Sequence, residues 1–492
     1  MKVAAISAIV GVAAGRHSML DSWPKQRLRA APGREYPAPR YVTQPQDHFD
    51  TSNSHVWQQA YYVNDTFWNS SDTAPVFLCV GGEGPPMDGS AVVDSVHCSV
   101  ATEWLQETGA LMFALEHRYY GCHNASACPV ESFDSPTALR YLSSRQAVED
   151  VASFVRRMRL AYSLGTSNRW VTWGGSYPGM LASWSRLKHP ELIHAAVASS
   201  APVHAKFDMH EYLDAVRRAY TVSDNGVGGS TRCAQAIREG HKEIEDMLTV
   251  QGGSHAAEVV LGLPNGTLQS RDAQMAYLGN GVAMFPAQSN DPACGEPGCN
   301  IASVCSVMTN ASLGSPLKRL LELRRLQGSP GSEPLEAAGD EPDYWFWQTC
   351  TEFGFYQSCD VGSDCMFVRG LVTAESMAEG CRKAWNITLA DVKQNIRATN
   401  AHYGALAASA PECVLWPNGE VDPWSPLGVL QSPSPGQPTL WVEGASHHAW
   451  THPSAPSDQP SVVEARAWIR QAVSHFLRLG CSQDFQLPAV LV

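Results

Sequence analysis

One serine, set among small residues, is the first position in this sequence where a side chain could do covalent chemistry. The segment Trp173–Met180 (WGGSYPGM) lies between the β-rich run Arg169–Thr172 and the helix-like stretch Leu181–Lys188. A strand that passes directly into a helix makes a tight turn, which exposes a serine hydroxyl and directs the next backbone N–H at a developing oxyanion. The segment therefore predicts Ser176 as a nucleophile and the N–H of Tyr177 as an oxyanion donor.

The turn departs from the usual pattern at Pro178, which stands where a second glycine commonly follows the serine. Proline's fixed φ suits the first turn of a helix, where backbone N–H groups have no intrahelical partner. Taken alone, the segment fits an ordinary glycine-serine turn as well as a catalytic one.

An acid and a histidine follow the serine in the order of an α/β-hydrolase triad. Asp422 follows the β-rich run 412–416, and His447 follows the run 439–442. An imidazole must take the serine proton, and a carboxylate must fix the tautomer of that imidazole. Each residue has an ordinary alternative, a turn-forming aspartate or a solvated loop histidine. Together and in this order they predict the triad Ser176, Asp422 and His447.

A glycine-rich loop after an early strand supplies a candidate for the second oxyanion donor. The loop is Val80–Pro85 (VGGEGP), and its N–H donor would come from Gly82 or Glu83. Glu83 has a second interpretation, as a structural carboxylate near Arg118, and the sequence leaves both open.

Composition excludes several classes of protein. The 492 residues carry a formal charge of −13, with 44% hydrophobic and 17% charged residues, which is typical of a globular chain and not of one that binds nucleic acid. Residues 1–15 have the pattern of a secretory signal peptide. No later stretch is apolar over the roughly 18 residues that a membrane helix needs, so we expect no membrane anchor.

Cysteines and glycosylation sequons also indicate the secretory pathway. Fourteen cysteines predict several disulfides, with metal binding as the weaker alternative. Cys122 and Cys128 could close a short loop, whereas Cys79, in an apolar run, is expected to be a buried free thiol. The predicted N-glycosylation sites are Asn64, Asn69, Asn124, Asn265, Asn310 and Asn386.

The pattern of elements predicts an α/β fold with a discontinuous core. β-rich runs alternate with helical patterns over residues 40–204, which is typical of a parallel sheet flanked by helices. Residues 205–405 form a mostly helical, cysteine-rich insertion that we interpret as a cap. The core resumes over residues 406–482 and ends in an amphipathic helix.

With these residues assembled, the chain resembles the S28 serine peptidases, nearest their thymus-specific branch. The resemblance covers residues 41–480 and is weakest over 222–340. The motifs that carry it are Gln46–Phe49, Trp57–Gln59, Gly81–Pro85, Glu116–Gly121, Leu142–Ala147, Gly174–Gly179, Val197–Val203, Gln348–Gly354, Asn418–Trp424 and Gly444–His447.

The resemblance implies an α/β-hydrolase core with a helical cap and a serine-type exopeptidase acting on peptides, often on the carboxyl side of proline. Carboxypeptidase, dipeptidyl peptidase and internal cleavage all stay open. It implies an apolar S1 pocket made by Tyr177, Met180 and Trp424. Glu83 and Glu352 would be partners for a substrate amine, or structural carboxylates.

One further departure from the family pattern follows the histidine. Relatives usually carry an acidic residue three positions after it, where this chain has Trp450, which would intrude on or extend the aromatic lining of the pocket.

The resemblance implies no cofactor or metal, and it implies an extracellular or lysosomal location. An esterase and a non-catalytic peptide-binding protein of the same fold are the alternatives, and a homodimer is one option for the oligomeric state.

Overall fold

The computed structural model describes residues 35–122, 125–133, 137–328, 343–406 and 412–481. The predicted signal peptide and the sequon asparagine Asn124 lie outside these ranges. Within the described residues, no helix is long and apolar enough to cross a membrane.

The described residues form ten β-strands. They are β1 (Arg40–Pro45), β2 (Val56–Asn64), β3 (Val76–Val80), β4 (Leu111–Leu115), β5 (Trp170–Gly175), β6 (Ala195–Ser199), β7 (Lys206–Asp208), β8 (Gly354–Tyr356), β9 (Val414–Gly419) and β10 (Thr439–Val442).

Fourteen α-helices occur in the same described ranges. They are α1 (Ser99–Thr102), α2 (Leu105–Thr108), α3 (Ser144–Ala161), α4 (Tyr177–Lys188), α5 (His210–Ala219), α6 (Thr231–Leu248), α7 (Gly253–Leu261), α8 (Arg271–Leu278), α9 (Ile301–Met308), α10 (Pro316–Leu326), α11 (Tyr344–Gln348), α12 (Ala374–Trp385), α13 (Leu389–Tyr403) and α14 (Pro460–Leu479). A π-helical turn, Thr349–Phe353, follows α11.

Eight strands make one sheet in the order β1-β2-β4-β3-β5-β6-β9-β10. The first two strands join it antiparallel, and β4, β3, β5, β6, β9 and β10 run parallel. The carboxyl ends of β5, β9 and β10 therefore lie at one edge of the sheet. This mostly parallel, helix-flanked sheet is an α/β-hydrolase core, and the predicted fold class is confirmed.

Helices cover both faces of this sheet, which explains why its central strands β3, β4, β5 and β6 are buried throughout and mostly apolar. Along β5, Trp170 packs into the core on one face, whereas Val171 and Trp173 pack into the core on the other. On the first face, the ring of Trp170 stacks on Phe113 with centroids 5.7 Å apart. The two faces fix the register of β5 and with it the position of the turn that follows.

Between β6 and β9 the chain leaves the large sheet. This segment contains helices α5 to α13 and the two short strands β7 and β8, which pair parallel as a separate sheet. We refer to residues 205–405 as the helical segment; its interpretation as a cap domain stays a prediction.

All fourteen cysteines lie in described ranges, and all are paired in seven disulfides. The predicted loop closure between Cys122 and Cys128 is confirmed. The expectation of a free thiol at Cys79 was wrong, because Cys79 is bonded to Cys98. An apolar strand context is typical of free cysteines, and a partner 19 residues away, brought back by the loop after β3, is not visible in that context.

The sequon asparagines differ in exposure. Asn69, Asn265, Asn310 and Asn386 are exposed, whereas Asn64 is half-buried and its Nδ2 donates to the carbonyl of Val92 at 3.0 Å. Their glycosylation stays a prediction.

Candidate active site

Ser176 lies in the turn between β5 and α4, with a backbone conformation that side chains rarely adopt. Its φ is 63° and its ψ is −132°. The left-handed region strains a residue with a Cβ, and such strain is typical of a nucleophile elbow. The Ser176 N–H donates to the carbonyl of Ser199 at 2.9 Å, which ties the turn to β6. The side chain of Ser176 is partly exposed.

The two glycines before the serine are required by close approaches. A Cβ on Gly174 would lie 2.3 Å from the carbonyl oxygen of Pro178, and one on Gly175 would lie 2.8 Å from the imidazole ring of His448. Pro178 lies in the first turn of α4, where its missing N–H costs no helical hydrogen bond. The replacement of the usual second glycine by proline therefore leaves the turn intact.

Asp422 and His447 are in contact at the carboxyl ends of β9 and β10. Asp422 Oδ1 lies 2.9 Å from Nδ1 of His447, and both side chains are buried. The same oxygen accepts the N–H of Trp424 at 2.9 Å, which holds the carboxylate in place. A carboxylate at Nδ1 selects the tautomer in which Nε2 is the basic nitrogen.

Nε2 of His447 is the atom that would take a proton. Within the part of the chain that the structure describes, this buried nitrogen has no hydrogen-bond partner. This nitrogen is therefore available to accept a proton. The His447 N–H donates to the carbonyl of Gln288 at 3.1 Å, so the helical segment also holds the histidine loop.

The glycine-rich loop after β3 lies against the start of α4. A Cβ on Gly82 would be 2.3 Å from Cγ of Pro178, two residues after Ser176. The loop therefore lies against the elbow, and the oxyanion role of Gly82 or Glu83 stays a prediction. The carboxylate that Arg118 binds is Asp150, with Nε to Oδ2 at 2.7 Å, rather than a carboxylate of this loop.

The side chain of Tyr177 joins the elbow to the helical segment. Its hydroxyl lies 3.0 Å from Nε2 of His117 and accepts a hydrogen bond from Nε2 of Gln348 at 2.9 Å. Gln348 also donates to Glu352 at 3.1 Å and accepts from the hydroxyl of Tyr120 at 2.7 Å. We call these five residues the Gln348 network, and all five are buried.

Glu352, predicted as an amine partner or a structural carboxylate, is engaged within the protein. Its two oxygens accept the backbone N–H of Ser144 at 2.9 Å each, at the start of α3. Burial raises the pKa of Glu352 above its usual range, against the opposing effect of the hydrogen bonds from Ser144 and Gln348. These contacts favour the structural role.

An aromatic chain runs from the elbow to the histidine. Tyr177 contacts Phe353 at 5.5 Å between ring centroids, Phe353 contacts Phe355 at 5.6 Å, and Phe355 contacts Trp424 at 5.4 Å. Trp424 in turn lies 6.3 Å from the ring of His447. Of the predicted S1 residues, Tyr177 and Met180 are 0% exposed and Trp424 is 7% exposed.

The position of Trp450 differs from the expectation that it would intrude on or extend this lining. Its side chain is buried among Val462, Ala465 and Trp468 in the core beneath α14. Its Nε1 donates to Oγ of Ser199 at 2.9 Å, so the ring anchors the histidine loop to β6.

Sequence reasoning did not identify Gln288, Phe355 or Gln348 as site residues. Gln348 falls within a motif that carried the family resemblance, and that motif was its only signal. Gln288 lies in the region of weakest resemblance, and an isolated glutamine has no spacing pattern that indicates a site.

Comparisons with known proteins agree with this geometry. The family model described as serine carboxypeptidase S28 matches residues 44–329 and 327–469. The thymus-specific serine protease of Homo sapiens is 33% identical over 458 residues, which is 88% of this chain and 85% of that protein. The lysosomal Pro-X carboxypeptidase of Bos taurus is 24% identical, covering 89% of this chain and 88% of that protein.

Among solved structures, proline iminopeptidase from Mycobacterium smegmatis aligns with 90% of this chain and 98% of its own at 13% identity. Its TM-score of 0.35 is too low to support any inference. The family assignment depends on the sequence matches, which span most of the chain and include the elbow, acid and histidine motifs. The chain belongs to the S28 family of serine-type peptidases.

Proposed function

We propose that this protein is a serine exopeptidase of the secretory pathway that cleaves peptides on the carboxyl side of proline, with Ser176 as nucleophile, His447 as base and Asp422 as the residue that orients the base. The observation that carries the proposal is the imidazole of His447, held by Asp422 at 2.9 Å, whose buried Nε2 has no partner in the described residues.

The chemistry would proceed in two acyl-transfer steps. His447 Nε2 takes the hydroxyl proton while Oγ of Ser176 attacks the substrate carbonyl carbon. The resulting oxyanion accepts the N–H of Tyr177 and an N–H of the loop at Gly82 or Glu83. His447 then protonates the leaving amine as the C–N bond breaks, and water attacks the acyl-enzyme by the same route in reverse.

Two observations support proline at the cleaved position. The aromatic chain from Tyr177 to Trp424 makes the surroundings of the elbow apolar, which suits an apolar pyrrolidine ring. The Bos taurus relative is named for cleavage at Pro-X bonds and for the lysosome.

Seven disulfides support an oxidising compartment, extracellular or lysosomal. A homodimer stays a prediction.

The test is hydrolysis of a peptide panel at pH 5 and pH 7.5. The panel contains Xaa-Pro reporters, Pro-Xaa peptides with a free carboxylate, and internally quenched peptides with one proline. We expect cleavage after proline that is lost in Ser176→Ala and kept in Ser306→Ala, a matched change on the exposed side of α9.

Other results would select the alternatives. Turnover of simple esters without turnover of any peptide would indicate an esterase of this fold. Binding of peptides to wild type and to Ser176→Ala, without cleavage by either, would indicate a non-catalytic peptide-binding protein.

A further inference from the structure

A cavity on the helical segment lies beside the candidate triad. It contains about 400 Å³ of empty space, part of it open to solvent. Its wall includes Tyr212, Leu213 and Val216 of α5, with Phe285 and Gln288 of the loop after α8. The residues of the predicted S1 pocket are not among the described residues that line it, so it is a separate site.

Gln288 connects this cavity to the candidate triad. Its carbonyl accepts the N–H of His447 at 3.1 Å, and its Oε1 accepts Nε1 of Trp424 at 3.0 Å and the hydroxyl of Tyr212 at 2.7 Å. The base and the predicted S1 residue Trp424 are therefore each one hydrogen bond from the wall of the cavity.

Gln357, just after β8, also lines the cavity and has a buried donor to offer. Its side chain is 5% exposed, and among the described residues its Nε2 has no hydrogen-bond partner. Leaving a buried amide donor unpaired is unfavourable, and a ligand that accepts its hydrogen bond would remove this cost. A peptide carbonyl is an acceptor of this kind.

The remaining wall limits what the cavity can hold. Leu213, Val216 and Phe285 are apolar, and no described lining residue is acidic, basic or histidine. A charged side chain or a chain terminus would lose its hydration there without gaining a partner. The cavity suits a small uncharged side chain next to a carbonyl oxygen.

Building on the proposed peptidase function, we propose that this cavity is a second substrate subsite, which binds a small uncharged residue of a peptide next to the S1 residue and accepts its carbonyl oxygen at Nε2 of Gln357. The subsite restricts extended substrates to uncharged residues at that position. Gln288 holds its wall in fixed relation to His447.

The experiment compares minimal and extended substrates in two variants. Gln357→Leu removes the donor and Val216→Phe fills the cavity. For extended peptides with alanine beside proline, we expect kcat/KM to fall about 3- to 10-fold, mainly through KM, as loss of one hydrogen bond predicts. The minimal Xaa-Pro or Pro-Xaa substrate that wild type accepts should change less than about twofold, which also shows that the variants fold.

Matched controls are Gln394→Leu and Val361→Phe, both at exposed positions of the helical segment. Wild type should also discriminate against lysine or aspartate in place of the alanine, and this discrimination should weaken in Gln357→Leu. Equal effects of both variants on minimal and extended substrates, or none on either, would overturn the subsite.

Calorimetry on Ser176→Ala separates this proposal from the proposed function, because binding needs no turnover. Loss of affinity for extended peptides alone in Ser176→Ala/Gln357→Leu would support the subsite even if wild type cleaved no proline peptide. Unchanged affinity would overturn it even if wild type proved to be a proline-specific peptidase.

Discussion

The sheet edge that carries Ser176, Asp422 and His447 and the helical segment that contacts it are held in place by different means. At the sheet edge, parallel strands with two buried faces fix the ends of β5, β9 and β10. The helical segment contacts this edge through hydrogen bonds and ring contacts from separate elements, among them Nε2 of Gln348 to the Tyr177 hydroxyl and the His447 N–H to the backbone carbonyl of Gln288. We infer that the sheet supplies the chemistry, whereas the helical segment adjusts its geometry and selects the substrate.

The largest effect should come from the sheet edge itself. Asp422→Asn would leave the fold intact but favour the wrong tautomer of His447, so kcat for peptide hydrolysis should fall about 10⁴-fold. Steady-state kinetics with Asp224→Asn, an exposed position, as the matched control checks this. A loss below about tenfold would mean that Asp422 does not orient the base.

Disulfides allow the stability of the two regions to be compared. Cys233–Cys305 closes 72 residues within the helical segment, and Cys79–Cys98 closes 19 residues in the core. By the chain-entropy relation, replacing each pair by alanine should lower the free energy of unfolding by about 4 and about 3 kcal/mol, respectively. Urea unfolding of both variants measures this, and a larger loss for the core pair would contradict the ordering.

Acid should destabilise the helical segment through His241. Its Nδ1 lies 2.8 Å from the carbonyl of Ile237, its Nε2 accepts the N–H of Val282 at 3.3 Å, and burial lowers the pKa of His241 from 6.5 to about 4. His241 is therefore protonated below pH 6.5 in the unfolded chain but only below about pH 4 in the folded chain. Because the unfolded chain binds more protons between these two pH values, the free energy of unfolding falls as pH falls through this window.

The free energy of unfolding should differ between pH 7 and pH 4.5 by about 2 kcal/mol less in His241→Gln than in wild type. Urea unfolding at both pH values measures it, with His255→Gln at an exposed position of α7 as control. The same pH dependence in wild type and His241→Gln would show that this histidine does not couple folding to acid.

The smallest expected effect tests the link between the two regions. Gln348→Leu removes the donor to the Tyr177 hydroxyl, so the elbow should be positioned less exactly, and kcat should fall about tenfold with KM nearly unchanged. Gln394→Leu, exposed on α13, is the control. A change in KM alone would indicate that Gln348 acts on substrate binding and not on the elbow.

The same division explains what could be predicted from the sequence. Ser176, Asp422 and His447 follow β-rich runs, and strand ends are local features that a sequence displays. The structure brings Asp422 and His447 into contact, whereas no described group, the Ser176 hydroxyl included, is hydrogen-bonded to Nε2 of His447. Their catalytic roles stay predictions until tested.

Contacts formed by distant parts of the chain could not be predicted. Cys79 is bonded to Cys98, which follows a loop, and Trp450 packs in the core under α14. The carbonyl of Gln288, in the region of weakest family resemblance, accepts the N–H of His447. Each depends on how irregular segments pack. No periodicity or local spacing encodes that packing, so the sequence alone could not predict these contacts.

The most direct test of the central claim is labelling with a serine-directed fluorophosphonate, followed by peptide mass spectrometry. We predict one phosphonylated residue, Ser176, with labelling at least about 100-fold slower in His447→Gln, because the hydroxyl then has no base. Labelling of a different serine, or equal rates in wild type and His447→Gln, would contradict the assignment of Ser176 and His447 as nucleophile and base.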